Sequence, residues 1–150
     1  LSFNSKKFSK DIIDKLKLKT NLVYGRLSFS KEIFILDDKI KCFNKINLIE
    51  KFPVLFFNCT LETQNRKKIY KKLKIDIDQN TNPLNLNVNG RLNIFMKKVY
   101  FESIKANKTF EASNEDLKYF KENFEQIILN ESYMGIFDLN KFRKFIIQIS

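Results

Sequence analysis

The chain offers few side chains able to do covalent chemistry, and their types already narrow the reactions. Its 150 residues include two cysteines, Cys42 and Cys59, and no histidine. Without an imidazole the usual general base near neutral pH is missing, so a Ser or Cys nucleophile would have to rely on a lysine or a carboxylate. Two cysteines are too few for a structural zinc site. They fit either one disulfide, in an oxidising compartment, or two buried thiols acting as small hydrophobes, and inward strand positions for both favour the thiols. Asp76 and Asp78 stand two apart, which on a strand puts both carboxylates on one face, a geometry for acid–base work or for a cation. They continue a polar face begun by Lys72 and Lys74, so they read as a solvated strand face instead. Asp37-Asp38-Lys39 reads as a hairpin turn, because Asp favours turns. The three glycines are isolated, so no phosphate-cradling loop is present. The expectation is a protein that is not an enzyme, with no metal and no cofactor.

The elements that would carry these residues show mostly a period of two. Val23, Gly25, Leu27 and Phe29 alternate along one face, Lys31-Glu32 reads as a turn, and Ile33 to Leu36 returns. Ile40, Cys42, Ile46 and Leu48 share a parity against Lys41, Lys45 and Asn47. After Pro53, Leu55, Phe57, Cys59 and Leu61 line one face. Gln64 to Lys67 reads as a polar turn, and Leu73, Ile75 and Ile77 as a further strand. The cleanest strand follows, with Leu84, Leu86, Val88, Gly90, Leu92 and Ile94 on one side and a row of Asn on the other. Gly25 and Gly90 fall inside strands, where glycine marks a bulge or bend, and a bend that curls the sheet is expected.

Residues 1–20 are open between two readings. Ile12, Ile13 and Leu16 have helical spacing with Ser9 as a cap, whereas Leu16 and Leu18 fit a lead-in strand. The pattern changes at Ser113-Asn114-Glu115-Asp116, which resembles a capping box, followed by the stripe Leu117, Phe120, Phe124, Ile127 and Ile128. After a break at Met134-Gly135, Asp138 caps a second stripe of Leu139, Phe142, Phe145, Ile146 and Ile149. The fold class is α+β. A curved antiparallel β-sheet of about six to eight strands spans residues 22–105, and two amphipathic helices follow over 113–150, all in a single domain.

Composition bounds the partners. A hydrophobic content of 43% excludes a disordered chain, and the net charge of +11 points to nucleic acid or an anionic membrane surface. A plainer source of that charge is AT-rich coding, which favours Lys, Asn, Ile and Phe and fits the lack of Trp and His. The excess is also uneven, since residues 111–150 are slightly acidic. Arg, which reads bases and phosphates through two parallel hydrogen bonds, occurs only four times. The sixteen Phe fall mostly on apolar faces and read as core, not as a platform for bases. Nucleic acid is therefore a disfavoured partner. No apolar run approaches the ~20 residues that span a bilayer. The chain begins at Leu1 and reads as an internal or C-terminal segment of a longer one, with any signal or anchor outside it.

The remaining feature is the amount of one-sided apolar strand. Leu84, Leu86, Val88, Leu92 and Ile94, with Leu55, Phe57 and Leu61 beside them, form a candidate lining for acyl chains, since each buried methylene contributes about 0.8 kcal/mol. The phrase from Leu84 to Ile94, with its Lys turn and the return from Val99 to Ile104, resembles the repeating hairpin of AsmA-like bacterial envelope proteins, which include TamB-like and YhdP-like members. The phrase from Val23 to Ile40 resembles an earlier copy. The resemblance implies a long taco-shaped β-groove, anchored in the inner membrane and reaching across the periplasm. It also implies a link to phospholipid movement and outer-membrane biogenesis, with the helices after Ser113 closing one end. On this reading the chain is a non-enzymatic periplasmic segment that shields phospholipid acyl chains, and its inner-membrane anchor lies elsewhere. The alternatives are a basic nucleic-acid-binding domain and a structural module that pairs through a sheet edge.

Overall fold

The computed structural model describes residues 2–5, 12–76, 81–132, 135–136 and 138–149. Ser9, Ile77, Asp78 and Met134 lie outside the described residues. Eight strands form one antiparallel sheet in sequence order: β1 (Ser2–Ser5), β2 (Lys15–Val23), β3 (Arg26–Ile35), β4 (Asp38–Asn47), β5 (Val54–Thr63), β6 (Leu84–Asn93), β7 (Lys98–Ala106) and β8 (Phe110–Glu111). Helix α1 (Arg66–Lys72) joins β5 to β6, and α2 (Asn114–Ile127) and α3 (Leu139–Ile149) follow the sheet. The α+β expectation holds, with an open, curved sheet and two C-terminal helices. The lead-in is extended, and the sheet begins before residue 22.

Register divides the side chains into two faces. Leu27 pairs with Ile46, Ile46 with Leu55, Leu55 with Leu92, and Leu92 with Val99, so one apolar parity runs unbroken from β3 to β7. Leu16, Leu18, Thr20 and Leu22 extend it on β2. This inner face is the one the helices cover. The outer face carries Lys17, Glu32 and Lys39 in an ion-paired row, with N···O distances of 3.7 and 3.6 Å. Beside them runs an amide row in which Asn89 donates to Asn87 and to Ser103 at 2.7 and 3.0 Å.

Four local expectations fail, each for a physical reason. Lys31-Glu32 is not a turn: β3 runs through it to Ile35, and the turn is Leu36-Asp37. Gly25 is not inside a strand. It forms a two-residue turn with Tyr24, both at positive φ (72° and 47°), the twist that a tight hairpin needs. Residues 66–72 and Leu73 are not turn and strand. The Asn65 side chain accepts from the Lys68 N–H at 3.3 Å and starts a helix that buries Ile69, with Leu73 one turn on. The Ile69–Leu73 spacing prevails over the alternation that began at Leu73. Finally, Cys42 and Cys59 are not free thiols. They are directly opposed on β4 and β5, with Cα atoms 4.1 Å apart, and are disulfide-bonded.

Gly90 behaves as expected, at an irregularity that bends the sheet. Asn89 pairs with Ser103 and Gly90 with Phe101, so Glu102 is an extra residue on β7. The core lies between the inner face and the helices. Ile12, Ile35, Ile69, Leu73 and Ile75 bury one cluster under α1. Leu92, Val99, Ile128, Leu129 and Phe145 bury another under α2 and α3. The Ser113–Asp116 capping box starts α2, and Asp138 accepts from the Asn140 N–H at 2.8 Å at the start of α3. Glu125 of α2 closes part of the outer edge of β7 by accepting from the Val99 N–H at 3.0 Å. Burial alone would raise its carboxyl, but hydrogen bonds from Lys121, Lys98 and Val99 outweigh that and hold it below its ordinary range.

Many phenylalanines read as core are instead exposed, among them Phe43, Phe52, Phe56, Phe95 and Phe110. Phe43 and Phe56 sit on outer-face positions, Phe52 and Phe95 in turns, and Phe110 on the short edge strand β8, none of which the period-two pattern protects.

The disulfide closes a loop of 17 residues in the middle of the sheet. Replacing both cysteines by Ser is expected to lower unfolding free energy by about 3 kcal/mol, measured by urea denaturation. An unchanged midpoint, or a free-thiol count of two in the oxidised protein, would contradict the pairing.

Candidate functional site

Seven of the eight residues expected to form an acyl-chain lining share the inner face, and the eighth, Ile94, lies just past the end of β6 and packs on the same side. Leu55, Phe57 and Leu61 on β5 stand opposite Leu92, Gly90 and Leu86 on β6. The helices treat them differently. Leu92 is 5% exposed and is core beneath α2 and α3, with Leu55, Phe57 and Ile94 packed against it. Leu61 packs against the cluster under α1. Leu84, Leu86 and Val88 are half-buried and belong to neither cluster. Across the sheet, Leu18, Leu27 and Phe29 are also half-buried, and Leu22 is 63% exposed. The face is thus roofed at two places and partly open between and beside them.

Three edge-on aromatic contacts fix the roof. Phe57 meets Phe101 with ring centroids 6.2 Å apart, and Phe101 meets Phe124 of α2 at 5.7 Å. Phe124 in turn meets Phe145 of α3 at 5.4 Å. Ile146 of α3 packs against both clusters, and the Arg143 guanidinium donates to the Leu73 carbonyl beyond α1. Helix α3 therefore ties the two roofed regions together.

Besides the hydroxyls of Thr20 and Thr63, two larger polar groups interrupt the apolar face. Lys31 on β3 faces Cys42, and Asn44 on β4 faces Phe29. Lys31 and Asn44 are therefore diagonal neighbours on adjacent strands, within reach of each other's long side chains. Burial alone pushes the Lys31 ammonium below its ordinary pKa, and among the described residues no carboxylate pairs with it. Asn44 is 6% exposed, and its Nδ2 has no hydrogen-bond partner among the described residues. A buried amide without a partner costs on the order of 1–3 kcal/mol, so these positions trade stability for polarity.

Sequence reasoning missed both. Placing a turn at Lys31-Glu32 removed Lys31 from the parity of Leu27, Phe29, Ile33 and Ile35, although the alternation itself carries it inward. Asn44 has the parity of Ile40, Cys42 and Ile46, and its inward position was legible. Asp76 follows α1 and lies on no strand.

No protein family, curated protein or solved structure matches the chain in comparisons of sequence and fold. No helix among the described residues is long and apolar enough to cross a membrane.

A lysine whose folded pKa is lowered binds its proton more weakly folded than unfolded. Its cost is therefore full at low and neutral pH and is relieved as pH rises through the lowered value toward the unfolded one near 10.4. Lys31→Met should stabilise the protein at pH 7 by on the order of 1 kcal/mol. The advantage should shrink between neutral and strongly alkaline pH. Thermal melts of both proteins across that range measure it, and a destabilised Lys31→Met variant would contradict it.

Proposed function

We propose that this chain is a non-enzymatic, AsmA-like segment of a bacterial envelope protein that holds phospholipid acyl chains against the inner face of its sheet. The observation that carries the reading is the single apolar parity from β2 to β7, only partly roofed by helices. Leu84, Leu86 and Val88 offer one partly exposed flank, and Leu18, Leu22, Leu27 and Phe29 the other. Ten methylenes laid there gain about 8 kcal/mol. That is comparable to the roughly 4–15 kcal/mol lost on association, so the holding is weak and reversible, as a passing lipid requires.

Lys31 and Asn44 support the same reading. They supply a cation and an amide donor inside an otherwise apolar face, where a lipid phosphate would give both a partner. The Cys42–Cys59 disulfide supports an oxidising compartment such as the periplasm. Nucleic acid is less well served, since outer-face lysines such as Lys17, Lys39 and Lys105 are engaged with Glu32 and Glu111.

Native mass spectrometry of the purified chain should detect co-purified phospholipid. Val88→Asp and Leu86→Asp should each reduce it strongly while circular dichroism stays unchanged. Leu92→Asp is unsuitable, because Leu92 is core. Lipid-free wild-type protein, or lipid retained by both variants, would remove this function.

A further inference from the structure

The turns at one end of the sheet are built unlike ordinary solvated turns. Because the strands run up and down in order, the β2–β3, β4–β5 and β6–β7 connections all lie at the same end. There Tyr24 is 91%, Ile49 72%, Phe95 74% and Met96 64% exposed. Solvent-exposed turns gain nothing from such residues, and contiguous exposed apolar side chains mark an interaction surface.

The three turns are also fixed to one another. The Leu48 N–H donates to the Gly25 carbonyl at 2.9 Å, and Ile49 packs so closely on Gly25 that a Cβ there would collide with it. Phe52 meets Phe95 edge-on at 5.9 Å. With neighbouring turns two strands apart, about 10 Å, the result is a rigid apolar ridge roughly 20 Å long.

Cations flank the ridge. Lys51 lies over the Phe52 ring at 5.5 Å. Behind Tyr24, on the outer face, a cleft of about 500 Å³ is lined by Val23, Tyr24 and Phe56 together with Arg26 and Lys45. Among the described residues neither Arg26 nor Lys45 has an acidic partner, and the one carboxylate in these turns, Glu50, accepts from Asn47 at 3.0 Å.

We propose that this end of the sheet docks on an anionic lipid bilayer. Ile49, Phe95 and Met96 enter the headgroup region, and Arg26 and Lys45 take lipid phosphates. Aromatic and aliphatic tips beside lysines match the interface, where rings sit at headgroup level and long cationic side chains reach the phosphates. A second copy fits poorly, because it would bring the same cations and the same net charge of +11 to the contact. Protein interfaces also tend to lack lysine. The docking is independent of lipid held on the inner face.

Co-sedimentation with phosphatidylcholine vesicles, with and without about one quarter phosphatidylglycerol, tests it. The chain should pellet with the anionic vesicles and hardly at all with the neutral ones. Ile49→Asp with Phe95→Asp should abolish pelleting while leaving circular dichroism and lipid co-purification unchanged; the melt falls slightly, because both side chains contact a neighbouring turn. Arg26→Gln with Lys45→Gln should weaken it about thirtyfold, at about 1 kcal/mol per cation. Lys68→Gln with Lys71→Gln, at the far end, should bind like wild type. Four results would overturn the proposal: wild type remaining in the supernatant, pelleting unaffected by the tip variants, equal loss from the far-end pair, or a wild-type oligomer that the tip variants dissociate.

Discussion

A side chain at position 90 has nowhere to go. A Cβ on Gly90 would meet the Tyr100 carbonyl, stand 2.7 Å from the tip of the Phe57 ring and 3.2 Å from the Phe101 Cα. The missing Cβ lets Phe57 lie across β6 and reach Phe101, from which edge-on rings continue to Phe124 and Phe145. The irregularity that admits Glu102 on β7 falls at the same place. One absent methyl thus accommodates both the local bend and the seating of α2 and α3, which in turn decides which part of the inner face is roofed.

The rest follows from keeping two faces apart. The inner face is apolar because register aligns the same parity strand after strand, and a one-residue slip anywhere would invert it. The Cys42–Cys59 bond pins β4 to β5 at the centre of the sheet, and the tight Tyr24-Gly25 and Leu36-Asp37 turns pin β3 on both sides. Against that order, Lys31 and Asn44 stand out as polar groups at costly positions. Elements that lower stability without structural return are where function is sought. Here they sit where a lipid headgroup would relieve them.

Much of the fold was legible because it rests on alternation and caps. The face from Leu84 to Ile94, the Ser113 box and the Asp138 cap all appear as read, since each depends on neighbouring residues alone. The misreadings arose where two local signals competed. Lys31-Glu32 looked like a turn because two charges interrupt an apolar run, yet strand pairing with β2 and β4 on both sides carries the pair through. At residues 66–73 an Asn cap and an Ile–Leu pair one helical turn apart outweighed an alternation that started late. The ridge was invisible, and the choice between disulfide and free thiols was misjudged, for another reason. Both join residues that only the finished sheet brings together: Cys42 with Cys59, Gly25 with Ile49, and Phe52 with Phe95.

The central claim is that the helix-covered face stays accessible to acyl chains. Photo-crosslinking with a phospholipid carrying a diazirine at its chain end, followed by peptide mapping, tests it most directly. The expected adducts lie on inward positions of β2, β3 and β6, such as Leu22, Phe29, Leu86 and Val88. Adducts confined to outward positions such as Phe43 or Phe56, or no adducts at all, would contradict it.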